Sequence, residues 1–544
     1  MFTLTATLYV VLALILDLHY EVFPPDSVFR MANGFYVLYS RHPHIAAIGF
    51  VWNPLMSMAD MVPLLFKDLW HPLVSRDVAA SLVTVGCMAG ATYQMYALLK
   101  DWQVGRPIRF LLTALFALNP MILYYATNGM SEALYLVTMV GTVRYLSRWS
   151  ARDDTRSLVY AGSMLALCYL AREEAILAAA LSGVLVFVVG ARRVSNPGTR
   201  FVSGMTDSTI YLAPFLVSFF GWALASKVIT GSFFEQFTSQ YGNSAQIKLY
   251  GSYYHLQPGH YAARLAHEVR DLEAIAPLLP LVLVAAATVA LRRRDVRILA
   301  PLAVLGGGIS FTLVGFLGNM VFPWFRFYIL AVPLSVILVG FLLAPRHAPV
   351  TSAPPRALSP PRIGHEWRAR PMVKAGVATI VTLILVGPSL ATTAAAMDNP
   401  NIGIEESGQL VAVFHPDRFR ATPGDNALLP VMHYLDRLHL PDGDVVTDDA
   451  YDCMATVIMR STNPRIFVIT NDADFQRILA DPLVWHAHYL VVPPPGGVYN
   501  AITAAYPDIY ASGSGFSELV HQFPATSICP PLRLYKVVRD TTAA

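Results

Sequence analysis

Residues 19–41 read HYEVFPPDSVFRMANGFYVLYSR, and this stretch decides how the chain around it is read. An apolar run of about 15 residues, the weakest of the chain's candidate spans and workable where its ends snorkel, closes at Asp17 just before it. Pro24-Pro25 stops that run from continuing as a helix. Asp26 stands at an N-cap position ahead of a second helix, roughly 15 residues long. Phe29, Phe35, Tyr36 and Tyr39 give this second helix an aromatic surface suited to the membrane interface. The chain continues as RHPHIAAIGFVWNPLMSMADMVPLLF (41–66), another amphipathic or re-entrant piece, which carries Asp60. An acid held at the water–lipid boundary can take a proton from an acceptor whose reaction partner stays in the membrane. From spacing alone, Asp26 reads first as a plain helix cap.

Composition fixes the class of the rest. A soluble chain of 544 residues would make three or four domains of about 150 residues. Here 55% of residues are hydrophobic and 14% charged, with mean hydropathy +0.48, against about 25% charged residues in soluble proteins. The chain reads as a polytopic membrane protein. A net charge of +3, with the basic residues in short clusters between apolar runs, gives no nucleic-acid surface. Four Cys exclude a disulfide-dense scaffold, and no Cys/His spacing suggests zinc. Of 39 basic residues six are Lys, a bias common in GC-rich bacterial genomes.

Eleven apolar runs are long enough to cross a bilayer: 2–18, 79–99, 108–126, 131–147, 157–171, 174–190, 208–226, 274–291, 298–318, 325–343 and 373–394. The first lacks the basic n-region and the cleavage site of a signal peptide and reads as an anchor helix. With the N-terminus cytoplasmic, the inner connections hold Lys100/Arg106/Arg109, Arg148/Arg152/Arg156, Arg192/Arg193/Arg200, Arg292/Arg293/Arg294/Arg297 and Arg346 through Lys374. Keeping that alternation requires Arg172-Glu173-Glu174 to be an outward tip between two short spans.

The transmembrane domain is therefore expected over 1–394. It includes a first outer loop at 19–78, a second at 227–273 and a Pro-rich inner linker at 344–371. Residues 395–544 have soluble composition and read as an extracytoplasmic α/β domain, with strands at Asp444–Asp448, Arg465–Thr470, Tyr489–Pro493 and Leu532–Val538 and helices at 427–439 and 473–480. Cys453 and Cys529 share this oxidising compartment and could form a disulfide. Cys87 and Cys168 read as packing within spans.

The pattern of a span, a short loop, PPDSVFR, interfacial helices and an H-P…N-P-L segment resembles the start of GT-C superfamily glycosyltransferases. The similarity is greatest to the protein-mannosyltransferase and aminoarabinose-transferase branch. ALNPMILYYATNGMSEALYL (117–136), LCYLAREEAIL (167–177), KVITGSFFEQFTSQY (227–241) and WFRFYILAVPLSVIL (324–338) continue the likeness over residues 1–345. Asp26 and Arg30 match the family's D-x(3)-R spacing, while Ser27 and Met31 stand where an acid and an aromatic are usual.

The resemblance implies a polytopic GT-C fold in a bacterial plasma membrane and a sugar donor carried on polyprenyl phosphate. The acceptor would be a glycan, lipid or protein hydroxyl, with inversion at the anomeric carbon. Asp26 would be the general base, and Asp60 or Glu132 a second carboxylate. Arg172, Lys227 and Arg326 would hold the donor phosphate, with Arg30, His42, His44, Glu173 and Glu174 as substrate contacts. A phosphate leaving group requires no metal, although the chemistry is compatible with a divalent ion. The HxH pair of His42 and His44 lacks the convergent ligands of a metal site. Asp472-Ala473-Asp474 is a DxD string that reads as a loop or helix cap. Two other classes compete: a lipid-linked sugar flippase, against which stands the absence of an internal repeat, and a non-catalytic envelope protein that binds glycan.

Overall fold

The computed structural model describes residues 1–250, 261–318, 320–346, 370–417, 428–449, 452–496, 499–526 and 529–541. The linker expected at 344–371 lies mostly outside them. Among the described residues seven helices are long and apolar enough to cross a membrane: Phe2–Tyr20, Val78–Asp101, Ala175–Arg193, Pro197–Thr230, Val296–Leu317, Phe325–Leu343 and Ala375–Asp398. An eighth crossing would come from the pair Tyr261–Ile275 and Leu279–Arg293, bent by 79°.

The other expected runs also fall on helices, and each falls short of that standard for a local reason. The run at 108–126 is broken into Arg106–Ala117 and Pro120–Tyr125 by Pro120, with the Asn119 side chain accepting from Met121 N–H. Glu132–Arg152 carries Arg144, Arg148 and Arg152, and Thr155–Ala171 is 17 residues long. Arg172-Glu173-Glu174 does separate two helices, Thr155–Ala171 and Ala175–Arg193.

Glu132–Arg152 is the central helix. It packs against Val78–Asp101, Thr155–Ala171 and Val296–Leu317 and buries Met139, Val143 and Trp149. Small residues set the closest approaches: a Cβ on Gly307 would lie 2.8 Å from the Ala178 Cα, and one on Gly162 would meet the Tyr211 carbonyl. Arginines satisfy carbonyls at helix ends. Arg264 donates to the Phe316 and Leu317 carbonyls at 3.2 and 3.3 Å, closing the C-terminus of Leu299–Leu317. Arg293 and Arg297 reach the Ala344 and Pro345 carbonyls at the other end of the bundle.

Pro25–Tyr39 forms a helix of the expected length. Its cap differs from the sequence reading: Pro24 holds the N-cap position and Pro25 the first helical position, so Asp26 lies inside the first turn. Proline's fixed φ suits that first position, where its missing N–H costs nothing. Asp26 is thereby free of the cap.

The C-terminal residues build a five-stranded sheet of order β2-β1-β3-β5-β4, where β1 is Val445–Thr447, β2 Phe467–Val468, β3 Tyr489–Val492, β4 Ser517–Phe523 and β5 Leu532–Val537. β1, β2 and β3 run parallel, and β5 is antiparallel to β3 and β4. Sequence reading missed β4, an edge strand exposed over most of its length, because it carries no buried alternation to reveal it. Residues 395–414, expected in this domain, pack on the bundle instead, with Met397 and Leu410 in its core. The helix Asp452–Arg460 packs on Pro25–Tyr39. Cys453 at its start is bonded to Cys529, with Cα atoms 5.6 Å apart, while Cys87 and Cys168 are free.

The Cys453–Cys529 bond closes a 76-residue separation. Cys529→Ser should destabilise the sheet domain by about 2–4 kcal/mol, read as earlier proteolysis between residues 445 and 541 on heating.

Candidate active site

Four segments distant in the sequence bring charge to one end of the bundle. Asp26 comes from the interfacial helix, Glu132 from the start of the central helix, Arg172 from the tip between two helices, and Arg326 from the turn Phe325–Tyr328. Arg326 is the shared partner. Its Nη2 donates to Asp26 Oδ2 at 2.8 Å, its Nη1 donates to Glu405 Oε1 at 2.9 Å, and its Nε lies 3.5 Å from Glu132 Oε1. Arg172 donates to the same Glu132 oxygen at 2.5 Å, to Glu174 at 2.6 and 2.9 Å, and to Ser131 at 3.3 Å. Phe327 lies beneath both guanidinium groups.

Beside this network is a cavity of about 130 Å³, lined among others by Asp26, Arg30, Arg172, Glu173, Arg326 and Glu405. The carboxylates differ in access. The Asp26 side chain is 29% exposed and Glu132 1%, so a ligand can reach Asp26, whereas Glu132 is sealed between two arginines. Arg30 follows Asp26 by one helical turn, its guanidinium over the Trp52 ring at 5.1 Å. Although Arg30 is 7% exposed, its Nε and Nη1 have no hydrogen-bond partner, an expensive state for a buried cation that an anion would relieve.

Burial pushes carboxyl groups up, but Arg326 and Arg30 beside Asp26 outweigh it and hold Asp26 below the usual carboxylate range. Glu405 has the opposite balance. Burial, with Asp26 and Glu406 close by, lifts it to about 8 despite Arg326. Asp26 and Glu405, both on the Arg326 guanidinium, are thus pushed in opposite directions.

Sequence reading found no role for Glu405 or Glu406, both in the helix Ile404–Gln409 just past the last apolar run. Tyr125 Oη donates to Glu406 at 2.7 Å and Tyr124 Oη donates to Gln409, fixing this helix to the bundle. The available signal was an acidic pair closely following a span end.

Four expected site residues lie away from the cavity. Asp60 is wholly buried in Leu55–Leu64, its carboxylate without a hydrogen-bond partner, and does not line the cavity. Lys227 is exposed and donates to the Gly231 carbonyl at 2.6 Å, closing the C-terminus of its own helix; that local carbonyl takes the ammonium the phosphate was expected to hold. His42 is exposed, and the His44 ring bonds the His42 carbonyl rather than pointing to the site. Among the described residues no group of three His, Cys, Asp or Glu is arranged to hold a metal.

No family model and no curated protein matches the sequence. Among solved structures, the crystal structure of ArnT from Cupriavidus metallidurans bound to undecaprenyl phosphate matches with a TM-score of 0.52 and 13% identity. The two chains share a fold. The likeness covers 98% of this chain and 97% of that one, so it includes the C-terminal sheet as well as the bundle. The residues that form the charged network thus sit on the fold that this ArnT shares.

Glu132 neutralises two buried arginines at once. Glu132→Ala should cost about 3–5 kcal/mol, the usual penalty for breaking a buried ion pair, and Glu132→Gln less. Thermal unfolding of the purified protein in detergent measures both.

Proposed function

We propose that this protein is an inverting glycosyltransferase of a bacterial plasma membrane, moving a sugar from a polyprenyl-phosphate donor to an acceptor hydroxyl on the outer face. The observation that carries this reading is Asp26 in reach of a cavity lined by Arg172, Arg326 and the incompletely bonded Arg30. The basic ends Arg293, Arg297 and Arg346 gather at the opposite end of the bundle, which supports an orientation with the site and the C-terminal domain outside and the N-terminus inside.

The donor enters from the bilayer, and its phosphate settles between Arg30, Arg326 and Arg172. Asp26 takes the proton of the acceptor hydroxyl as that oxygen attacks the anomeric carbon. The bond from this carbon to the phosphate oxygen breaks, its electron pair leaving with the polyprenyl phosphate. The arginines stabilise that charge. A single displacement inverts the anomeric centre. Glu132 and Glu174 act as positioning residues, keeping the arginines charged and aimed. A phosphate leaving group held by guanidinium groups requires no metal ion, and chelation should leave turnover unchanged.

The ion pair with Arg326 makes Asp26 a weak base in the empty site. A bound phosphate competes for Arg326 and Arg30 and raises the proton affinity of Asp26, so the base gains strength when the donor is in place. Glu405, protonated near neutrality, leaves the phosphate without a repelling neighbour and can donate to it.

Asp26→Asn should lower transfer about 10²–10⁴-fold, measured with radiolabelled polyprenyl-phosphate sugars in proteoliposomes. Turnover surviving the change would remove Asp26 from the role of base. Because Asp26 works ionised, the rate falls as pH drops through its pKa. The acid limb of kcat/KM for the donor should lie below the usual carboxylate range, and that of kcat, reporting the donor-bound site, at higher pH. Glu405 loses its proton near pH 8, which adds a charge against the phosphate, so donor KM should rise above that pH. Glu405→Gln, which mimics the protonated form, should abolish this basic limb. A limb that persists in Glu405→Gln would assign it to another group.

A further inference from the structure

A second cavity, of about 110 Å³, lies where the C-terminal domain meets the interfacial helix and the loop after it. Trp52 and Gln246 line both this cavity and the one that holds Asp26, so the two are neighbours across a shared wall. The C-terminal domain contributes Asp449, Thr470 and Asn471.

The position is informative. Asp449 follows β1 and Asn471 follows β2, so both stand beyond the carboxyl ends of adjacent parallel strands, the edge at which open α/β sheets bind ligands. Here that edge faces Asn33 and Gly49 of the membrane-side chain. Asn471 Nδ2 donates to the Ala47 carbonyl at 3.1 Å and lies 3.4 Å from Asn33 Oδ1. This pins the two amides side by side with the Asn471 oxygen and the Asn33 amino group still able to bond. Gly49, at φ +73°, leaves the pair uncovered; a Cβ there would stand 3.5–3.7 Å from both amides. Asp449 is held by Thr470, whose N–H donates to its Oδ1 at 3.1 Å. The aromatic wall is Phe29 set edge-on to Trp52, ring centres 5.7 Å apart.

Among the described residues the lining includes no Lys or Arg, which disfavours a phosphate, and its planar polar groups disfavour an acyl chain. Aromatic faces for C–H surfaces, beside rigid amides and a carboxylate for vicinal hydroxyls, are the complement of a sugar ring. We infer that this cavity is a binding subsite for a neutral carbohydrate, holding the acceptor glycan so that its reactive hydroxyl passes Trp52 to reach Asp26. The identification of the ligand as acceptor rests on the transferase reading; the subsite itself rests on this cavity.

The test measures direct binding as well as transfer. Purified full-length protein in nanodiscs is titrated with short mannan, arabinan, galactan and dextran oligosaccharides, and transfer onto the same compounds is assayed in parallel. At least one oligosaccharide should bind and accept sugar, and Asn471→Leu should weaken its binding about tenfold or more through lost hydrogen bonds. Asp449→Asn, of nearly the same shape, serves if Asn471→Leu fails to fold, and should weaken binding in the same direction. Oligosaccharides that bind as tightly to both variants as to wild type would overturn the subsite, as would binding only of Ser/Thr peptides. Transfer to a non-carbohydrate acceptor with no oligosaccharide binding would overturn it and leave the transferase reading standing. Variant-sensitive binding with no transfer from any donor would keep the subsite and remove the transferase reading.

Discussion

A guanidinium surrounded by protein must be neutralised or the fold does not close around it. Arg326 meets that demand through Asp26 and Glu132, with the Glu405 carboxyl as a third hydrogen-bond partner, all from distant parts of the chain. The interfacial helix, the start of the central helix and the segment after the last apolar helix must therefore converge on one point. Arg172, sharing Glu132, is drawn into the same place. The network is what makes an end of a helical bundle into a site.

The same network separates the roles of its acids. Glu132, deeply buried between two cations, has no freedom to exchange partners. Asp26 borders open space on one side and a single strong partner on the other, so its ion pair is the one a substrate anion can compete for. Chemistry at such a site is governed by which ion pairs are replaceable, and burial decides that.

Much of this was legible in the sequence. Each expected apolar run falls on one or two helices, and Pro24-Pro25 followed by an aromatic-rich segment marked the interfacial helix. Asp26, Arg30, Arg172, Glu173 and Arg326 all line the cavity. The misreadings have physical causes. A charged residue at a span end has two uses, facing a ligand or closing a helix, and spacing does not distinguish them: Lys227 closes its helix, whereas Arg326 faces the cavity. Asp60 looks like a boundary acid in the sequence, but its helix turns it inward. Glu405 was hidden because its importance depends on Arg326, which lies 79 positions earlier in a segment with no pattern linking the two. The edge strand Ser517–Phe523 escaped for want of a buried face.

The fixing of Glu405 to Arg326 also bears on the order in which the molecule is made. When a growing chain has inserted all but its last apolar helix, Arg326 is already at the bundle end and one of its three carboxyl partners has not yet been synthesised. The charged centre is completed only when Ile404–Gln409 emerges and docks through its tyrosine contacts. Until then the cavity has no Glu405 wall, so completion of the pocket waits on a segment that leaves the ribosome after every apolar helix.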